Sequence, residues 1–217
     1  SLDTDATSGS VIVSGTVATY TPNQDFNGSD SFVFSVTDSD LSATATVTLT
    51  VDAVNDAPVL AAVADVSFDE DGLGFLSLSA SDVDNTELSF SITGGTDITA
   101  TLDGSDVTFS APADYNGSEE FTVTVTDDDL TDTQIIIVTV NAVNDAPVAN
   151  ATSGTTSEDQ STVISLSGSD VDGDALTYSL DTDATSGSVI VSGTVATYTP
   201  NQDFNGSDSF VFSVTDS

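Results

Sequence analysis

Apolar and polar residues alternate along this chain with a period of two. In Phe32-Val33-Phe34-Ser35-Val36-Thr37, Phe32, Phe34 and Val36 fall on one face. Ala43, Ala45, Val47, Leu49 and Val51 alternate with Thr44, Thr46, Thr48 and Thr50. Phe121, Val123 and Val125 repeat the scheme, as do Ile136, Val138 and Val140. Successive side chains of a strand point to opposite faces, so this pattern, rich in β-branched residues, predicts half-buried antiparallel strands. The breaks carry Asp, Asn, Gly and Pro, which supply turn backbone. No stretch has a helical period. Between residues 57 and 145 seven strands are expected, at about 59–68, 73–80, 87–93, 97–102, 105–110, 119–126 and 132–141.

The same units return along the chain. Residues 1–39 recur unchanged as residues 179–217, an offset of 178. A weaker period lies inside it: Val54–Val59 and Val143–Val148 both read VNDAPV, 89 residues apart. DFNGSDSF at 25–32 and 203–210 matches DYNGSEEF at 114–121, again in steps of 89. Since 2 × 89 = 178, the long repeat is two diverged modules. The chain reads as a window on a tandem array. Residues 1–56 form the C-terminal part of one module, 57–145 a complete module, and 146–217 a module lacking its last strand. Seven short strands in a module of this size predict an all-β fold, a seven-stranded Greek-key sandwich of immunoglobulin-like type.

Composition narrows the function. Among 217 residues there are 36 acids and no Lys, Arg or His, and Asp outnumbers Glu 31 to 5. Cys, Met and Trp are absent. No disulfide framework, thiolate metal site or cysteine nucleophile is available. Without His or Lys there is no imidazole base, Schiff base, Ser-His-Asp triad or Lys–Asn cross-link. A formal charge of -36 leaves nothing to neutralise phosphates, which argues against nucleic acid and anionic membrane surfaces. Apolar residues still make up 38% of the chain, too many for a disordered acidic tail. No apolar run approaches the roughly 18–20 residues of a membrane span. Ser1 opens the chain without a basic or apolar leader, so it is expected to be an excerpt of a longer mature protein. The expected partners are cations.

The acids gather at strand ends and loops: Asp69-Glu70-Asp71, Asp82 and Asp84, Asp127-Asp128-Asp129, and Asp170, Asp172 and Asp174. Ser-Asp-Val-Asp-Gly-Asp at 169–174 sets carboxylates at alternating positions around a glycine, as oxygen-ligand calcium loops do. It is not an EF-hand, because the 12-residue loop and its flanking helices are missing. A solvated acidic turn is the competing reading. General halophilic acidity is another, although the Asp bias and turn placement fit coordination better.

The ordered set of motifs resembles cadherin repeats and the cadherin-like modules of large bacterial surface adhesins, including the extender regions of repeats-in-toxin type. Ala80-Ser81-Asp82-Val83-Asp84 is similar to the A-x-D-x-D loop of that family, with Ser169-Asp170-Val171-Asp172 its counterpart. Asp114-Tyr115-Asn116, Asp25-Phe26-Asn27 and Asp203-Phe204-Asn205 resemble D-x-E with Asn in place of Glu. Asp127 and Asp216 take the later Asp position, and Glu70 and Glu158 the early Glu. Asn55-Asp56-Ala57-Pro58 and Asn144-Asp145-Ala146-Pro147 resemble the linker, one residue shorter than the family's.

This resemblance implies Ca2+ at the module junctions, where one module's bottom loops meet the next module's top loops. At the first junction the implied ligands are Asp25, Asn27, Asn55 and Asp56, with Asp82, Asp84 and Asp127. At the second they are Glu70, Asp114, Asn116, Asn144 and Asp145, with Asp170, Asp172 and Asp216. The bland alternative is a rigid Asn-Asp-Ala-Pro turn with Pro fixing φ.

No catalytic constellation stands out. Paired carboxylates also serve glycosidases, but acids lie at every strand end here and no aromatic sugar platform accompanies them. Two functions remain. The leading one is a non-enzymatic structural extender of a large extracellular bacterial adhesin or surface fibre, cell-surface or secreted, as in biofilm adhesion. Its partners would be neighbouring repeats of the same chain or end-to-end copies. The alternative is a self-associating adhesion or fibre-forming module, although the 4 Tyr and absent Trp offer few aromatic anchors.

Overall fold

The computed structural model describes residues 1–216, and among them strands and turns make up all the regular structure. Hydrogen-bonded ladders join strands only within three stretches, 2–51, 59–141 and 148–215.

Residues 59–141 form a two-sheet sandwich. One sheet runs in the order Ser89–Gly94, Gly117–Thr126, Thr131–Asn141, Val66–Asp69. The other runs Thr99–Asp103, Asp106–Ser110, Gly74–Ser77. A short pair, Val59–Leu60 with Ala80–Ser81, closes its margin. All neighbours are antiparallel except Val66–Asp69, which runs parallel to Thr131–Asn141 with Val138 opposite Val66 and Val140 opposite Phe68. The in-phase apolar residues read from the alternation meet between the sheets. Phe109, Phe121, Val123, Val125, Ile136 and Val138 are at most 1% exposed. Phe109 and Phe121 pack edge to face, centroids 5.3 Å apart and planes at 74°, the arrangement that ring quadrupoles favour. Burial of this apolar face is what holds the sheets together.

Two of the expected strands are each divided. The one expected at 59–68 is Val59–Leu60 and then Val66–Asp69, because the chain changes sheets between them. At the crossing, side chains replace the ladder. The Leu60 N–H donates to Asp132 Oδ2 (2.9 Å) and the Val63 N–H to Gln134 Oε1 (2.9 Å). Gln134 Nε2 donates back to the carbonyls of Leu60 and Ala61, at 3.1 and 3.2 Å. The Ile137 N–H meets Asp65 Oδ1 at 2.8 Å. The strand expected at 73–80 likewise divides into Gly74–Ser77 and Ala80–Ser81, which pair with different partners. Period-two patterning marks which face a residue takes, and a strand that changes partners keeps its alternation.

The flanking stretches repeat parts of this plan. Gly28–Thr37 pairs with Ser42–Val51, and Leu2–Thr4 with Gly28–Thr37. Gly9–Ser14 forms a hairpin with Val17–Pro22. In the last stretch Thr162–Ser165, Val195–Pro200 and Gly187–Ser192 make one sheet and Thr177–Thr182 with Val211–Thr215 another. A second core gathers Leu166, Val189 and Ala196.

Candidate functional site

The acids divide into two populations, one that holds the chain's own N–H groups and one that converges at the linkers. The first lies on core-facing positions two residues before a phenylalanine: Asp30, Glu119 and Asp208, spaced by 89. Asp30 accepts from the N–H groups of Thr7 (3.1 Å) and Ser8 (2.9 Å) and from the Tyr20 hydroxyl (3.0 Å). Glu119 accepts from the N–H groups of Thr96, Asp97 and Ile98 at 2.8, 3.1 and 3.0 Å. Asp208 repeats the Asp30 pattern with Thr185, Ser186 and Tyr198. Burial works to raise the Asp30 carboxyl. The N–H groups of Ser8, Ser31 and Thr7 and the Tyr20 hydroxyl outweigh it and hold the group at about 2. These clamps tie a loop to a strand and have no lone pairs to spare for an ion. The sequence reading passed over them, although an acid in the core-facing phase of a strand was the available signal.

The second population surrounds Asn55-Asp56 and Asn144-Asp145. Turn chemistry aims it. Asp25, Asp71 and Asp114 sit in left-handed backbone at φ of 60°, 59° and 58°, which Asp tolerates better than most residues. The Asp114 N–H reaches Asp71 Oδ1 at 3.4 Å. In the DxD loop, Asp82 Oδ1 accepts the N–H groups of Asp84 and Asn85, both at 2.7 Å. Asp170 Oδ1 accepts that of Asp174 at 3.2 Å.

Both linkers dock on the following module in the same way. The Asp56 N–H donates to Asp84 Oδ2 and the Asp145 N–H to Asp172 Oδ2, each at 2.8 Å. Asn55 Nδ2 donates to Asp127 Oδ2, and Asn144 Nδ2 to Asp216 Oδ2, each at 2.7 Å. At the second junction the preceding module joins in. Glu70, Asp145 and Asp172 present carboxylate oxygens within 4.8 Å of one another, and so do Asp71, Asp114 and Asp145. Asp145 thus belongs to two acidic triples. Glu70, only 7% exposed, also receives the Val143 N–H. Burial first, then the charges of Asp114, Asp172, Asp71 and Glu70, push the Asp145 carboxyl above its ordinary value. At the first junction burial, then Asp25, Asp84 and Asp82, do the same to Asp56.

One oxygen in each DxD loop stands apart. Asp82 Oδ2 and Asp170 Oδ2 are buried and have no hydrogen-bond partner. They occupy corresponding places in two different modules.

Of the residues named from the sequence, Glu70, Asp114, Asp145 and Asp172 converge in the triples. Asn55 with Asp127, Asp56 with Asp84, and Asn144 with Asp216 meet in pairs. Asp25 and Asp82 lie close enough to act on Asp56. Asn27 and Asn116 are exposed, and their side chains join neither a hydrogen bond nor a triple among the described residues. Asp71 and Asn85 were missed. Asp71 follows Glu70 as Asp159 follows Glu158, a recurring Glu-Asp pair that marked it. Asn85 Nδ2 bridges Asn55 Oδ1 at 2.9 Å.

A family model described as Bacterial Ig domain matches residues 1–50, 55–139 and 144–217. The chain belongs to the bacterial Ig domain family. No curated protein sequence matches the chain. Among solved structures, this bacterial Ig chain is similar to human protocadherin-24 EC1-2 (form II), at 20% identity and a TM-score of 0.53. That match covers 75% of this chain and 88% of the other. Mouse protocadherin-24 EC1-3 is similar at 17% identity and a TM-score of 0.53, over 92% of this chain and 77% of that one. Identities this low speak for the fold, and the fold of the bacterial Ig array is cadherin-like.

Proposed function

We propose that this bacterial Ig array is a structural extender of a large extracellular adhesin or surface fibre, of repeats-in-toxin type, stiffened by Ca2+ at its module junctions. The twin orphan oxygens, Asp82 Oδ2 and Asp170 Oδ2, carry the reading. A buried carboxylate oxygen without a donor is costly, and its recurrence at one place in two modules is accounted for by a cation. The donor set fits calcium. Every candidate ligand is a carboxylate, amide or backbone oxygen, and calcium takes about six to eight such oxygens.

At the second junction Glu70, Asp71, Asp114, Asp145, Asp170 and Asp172 would hold the metal, with Asn116, Asn144 and Asp216 beside them. At the first, Asp25, Asp56, Asp82, Asp84 and Asp127 would do so, with Asn27 and Asn55 beside them. The ion supplies positive charge where the chain has only negative. Asp145 then ties its linker to both modules, because it already faces Glu70 and Asp114 on one side and Asp172 on the other. Without a cation these carboxylates repel and the hinge loosens.

Calorimetric titration of the chain with calcium, joined to small-angle scattering, tests this. Chelation is expected to shorten the maximum dimension while the β-sheet circular dichroism persists. Asp145→Ala or Asp56→Ala should reproduce the loss at one hinge only. An unchanged scattering profile, or loss of the β signal on chelation, refutes the mechanism. A second reading, the self-associating fibre module, is favoured by a strand edge at 206–210 that no described residue pairs.

A further inference from the structure

Residues 28–37 and 206–215 share one sequence, Gly-Ser-Asp-Ser-Phe-Val-Phe-Ser-Val-Thr, in two surroundings. In the first, Ser42–Val51 lies alongside, from Gly28 opposite Val51 to Thr37 opposite Ser42. There all of Gly28–Thr37 is strand. In the second, no described residue takes that place, and only Val211–Thr215 is strand. Burial follows the ladder. Phe32 is 5% exposed, whereas its twin Phe210 is only half-buried. The neighbouring strand therefore organises this sequence.

The unpaired edge borders a groove of about 480 Å³ whose walls include Thr156, Ile164, Tyr198, Phe210 and Phe212. In the complete sandwich that position belongs to Thr131–Asn141, with Val138 opposite Val66 and Val140 opposite Phe68. Counting back from Glu158 as from Glu70, the groove's counterparts of Val66 and Phe68 are Gly154 and Thr156. The wall is thus smaller here. Ser42–Val51 carries Leu49 where the complete module has Val138. A larger knob meets a smaller wall.

We infer that the groove receives the Ser42–Val51 strand of a second copy of this chain, antiparallel to 206–215 in the register seen at 28–37. Gly206 then lies opposite Val51 and Ser209 opposite Thr48, the pairs Gly28–Val51 and Ser31–Thr48 shifted by 178. Main-chain bonds give such a strand its affinity and alternate side chains its specificity. The donor gains too. Val47, Leu49 and Val51 are half-buried where they stand, while their counterparts Ile136, Val138 and Val140 are 1%, 0% and 2% exposed in a complete sandwich. Each copy holds one donor and one acceptor on different surfaces, so the contact is head-to-tail and propagates into a filament. An uncovered edge of this kind is otherwise a template for indiscriminate pairing. The uptake needs no cation, so it stands apart from the calcium reading.

The absence of cysteine makes the test direct. Thr48→Cys and Ser209→Cys change exposed residues, and each full-length variant is checked by circular dichroism. Mixed under mild oxidation, the two should form a disulfide-linked dimer roughly tenfold or more faster than Thr48→Cys mixed with Thr215→Cys, because a disulfide demands close Cβ approach. The same preference should hold in calcium and in chelator, and the unmodified chain should form concentration-dependent oligomers in sedimentation. Equal rates for the two mixtures, or no linked dimer in either, overturns the proposal. A preference present only with calcium also overturns it and assigns the contact to the junctions instead.

Discussion

Replacing Phe121 with alanine removes a ring that is 1% exposed and seated edge-to-face on Phe109 at 5.3 Å. Truncating a buried Phe costs about 3–5 kcal/mol, lost transfer energy and cavity together. The aromatic pair accounts for about 0.5–1.5 kcal/mol of that. Small domains hold about 0.05–0.15 kcal/mol per residue. For the 89 residues of 57–145 this is about 4–13 kcal/mol. The substitution therefore removes a large share of the middle sandwich's stability without touching any junction acid. Phe210→Ala, at a half-buried twin position, should cost only about 1–2 kcal/mol, in proportion to the apolar area it hides. Native-state hydrogen exchange with mass spectrometry reads both in the full chain. Amides of Gly117–Thr126 in Phe121→Ala should lose protection by roughly a hundred- to a few-thousand-fold, at 1.4 kcal/mol per decade. The loss should be the same with chelator and with calcium, since the core is apolar and the metal sits elsewhere. A loss below about tenfold, or one that calcium abolishes, refutes the claim that each sandwich stands on its own core.

Further outcomes follow from the acids and the crossing. Asp30 has a depressed carboxyl, about 2 against an ordinary 3.8. Its clamp therefore contributes in full above the ordinary value and is lost as pH falls through about 4 to 2; carboxyl-carbon NMR should find Asp30 titrating well below the exposed Asp residues. Asp145 has the opposite sign: its charged form is disfavoured in the fold. Lowering the pH in chelator should thus partly restore the maximum dimension seen with calcium, and a monotonic shortening in scattering would contradict this. Gln134→Ala strips the partners from Leu60, Ala61 and Val63, at a cost of about 1–3 kcal/mol if a polar group is left unmet. Exchange should quicken first at residues 59–65.

The sandwich was legible because its core is written in period two. Phe121, Val123 and Val125 face Ile136, Val138 and Val140 across one ladder, as the alternation requires. The change of sheet at 61–65 was not, because side chains of Asp132 and Gln134, some seventy residues away in sequence, supply its bonds. The linker pairs Asn55–Asp127 and Asn144–Asp216 could be named because each motif recurs in order along the repeat. What composition hid was the division of labour among acids. Asp30, Glu119 and Asp208 look like surface charge in a chain of 36 acids, yet their strand phase turns them toward backbone N–H groups. Asp71 escaped notice because its contribution depends on a left-handed turn that brings it to Asp114.

The parallel pairing of Val66–Asp69 with Thr131–Asn141 bears on how a module responds to tension. These strands lie near the two ends of the sequence 57–145, and their four register pairs run side by side in one direction. A pull on the two termini slides one strand lengthwise along the other. All the bonds across that seam are loaded together, whereas an antiparallel hairpin pulled at its open end gives way one pair at a time. The extension should therefore yield in abrupt, module-sized steps under force, with each sandwich behaving as a latch and the linkers between them taking up slack first.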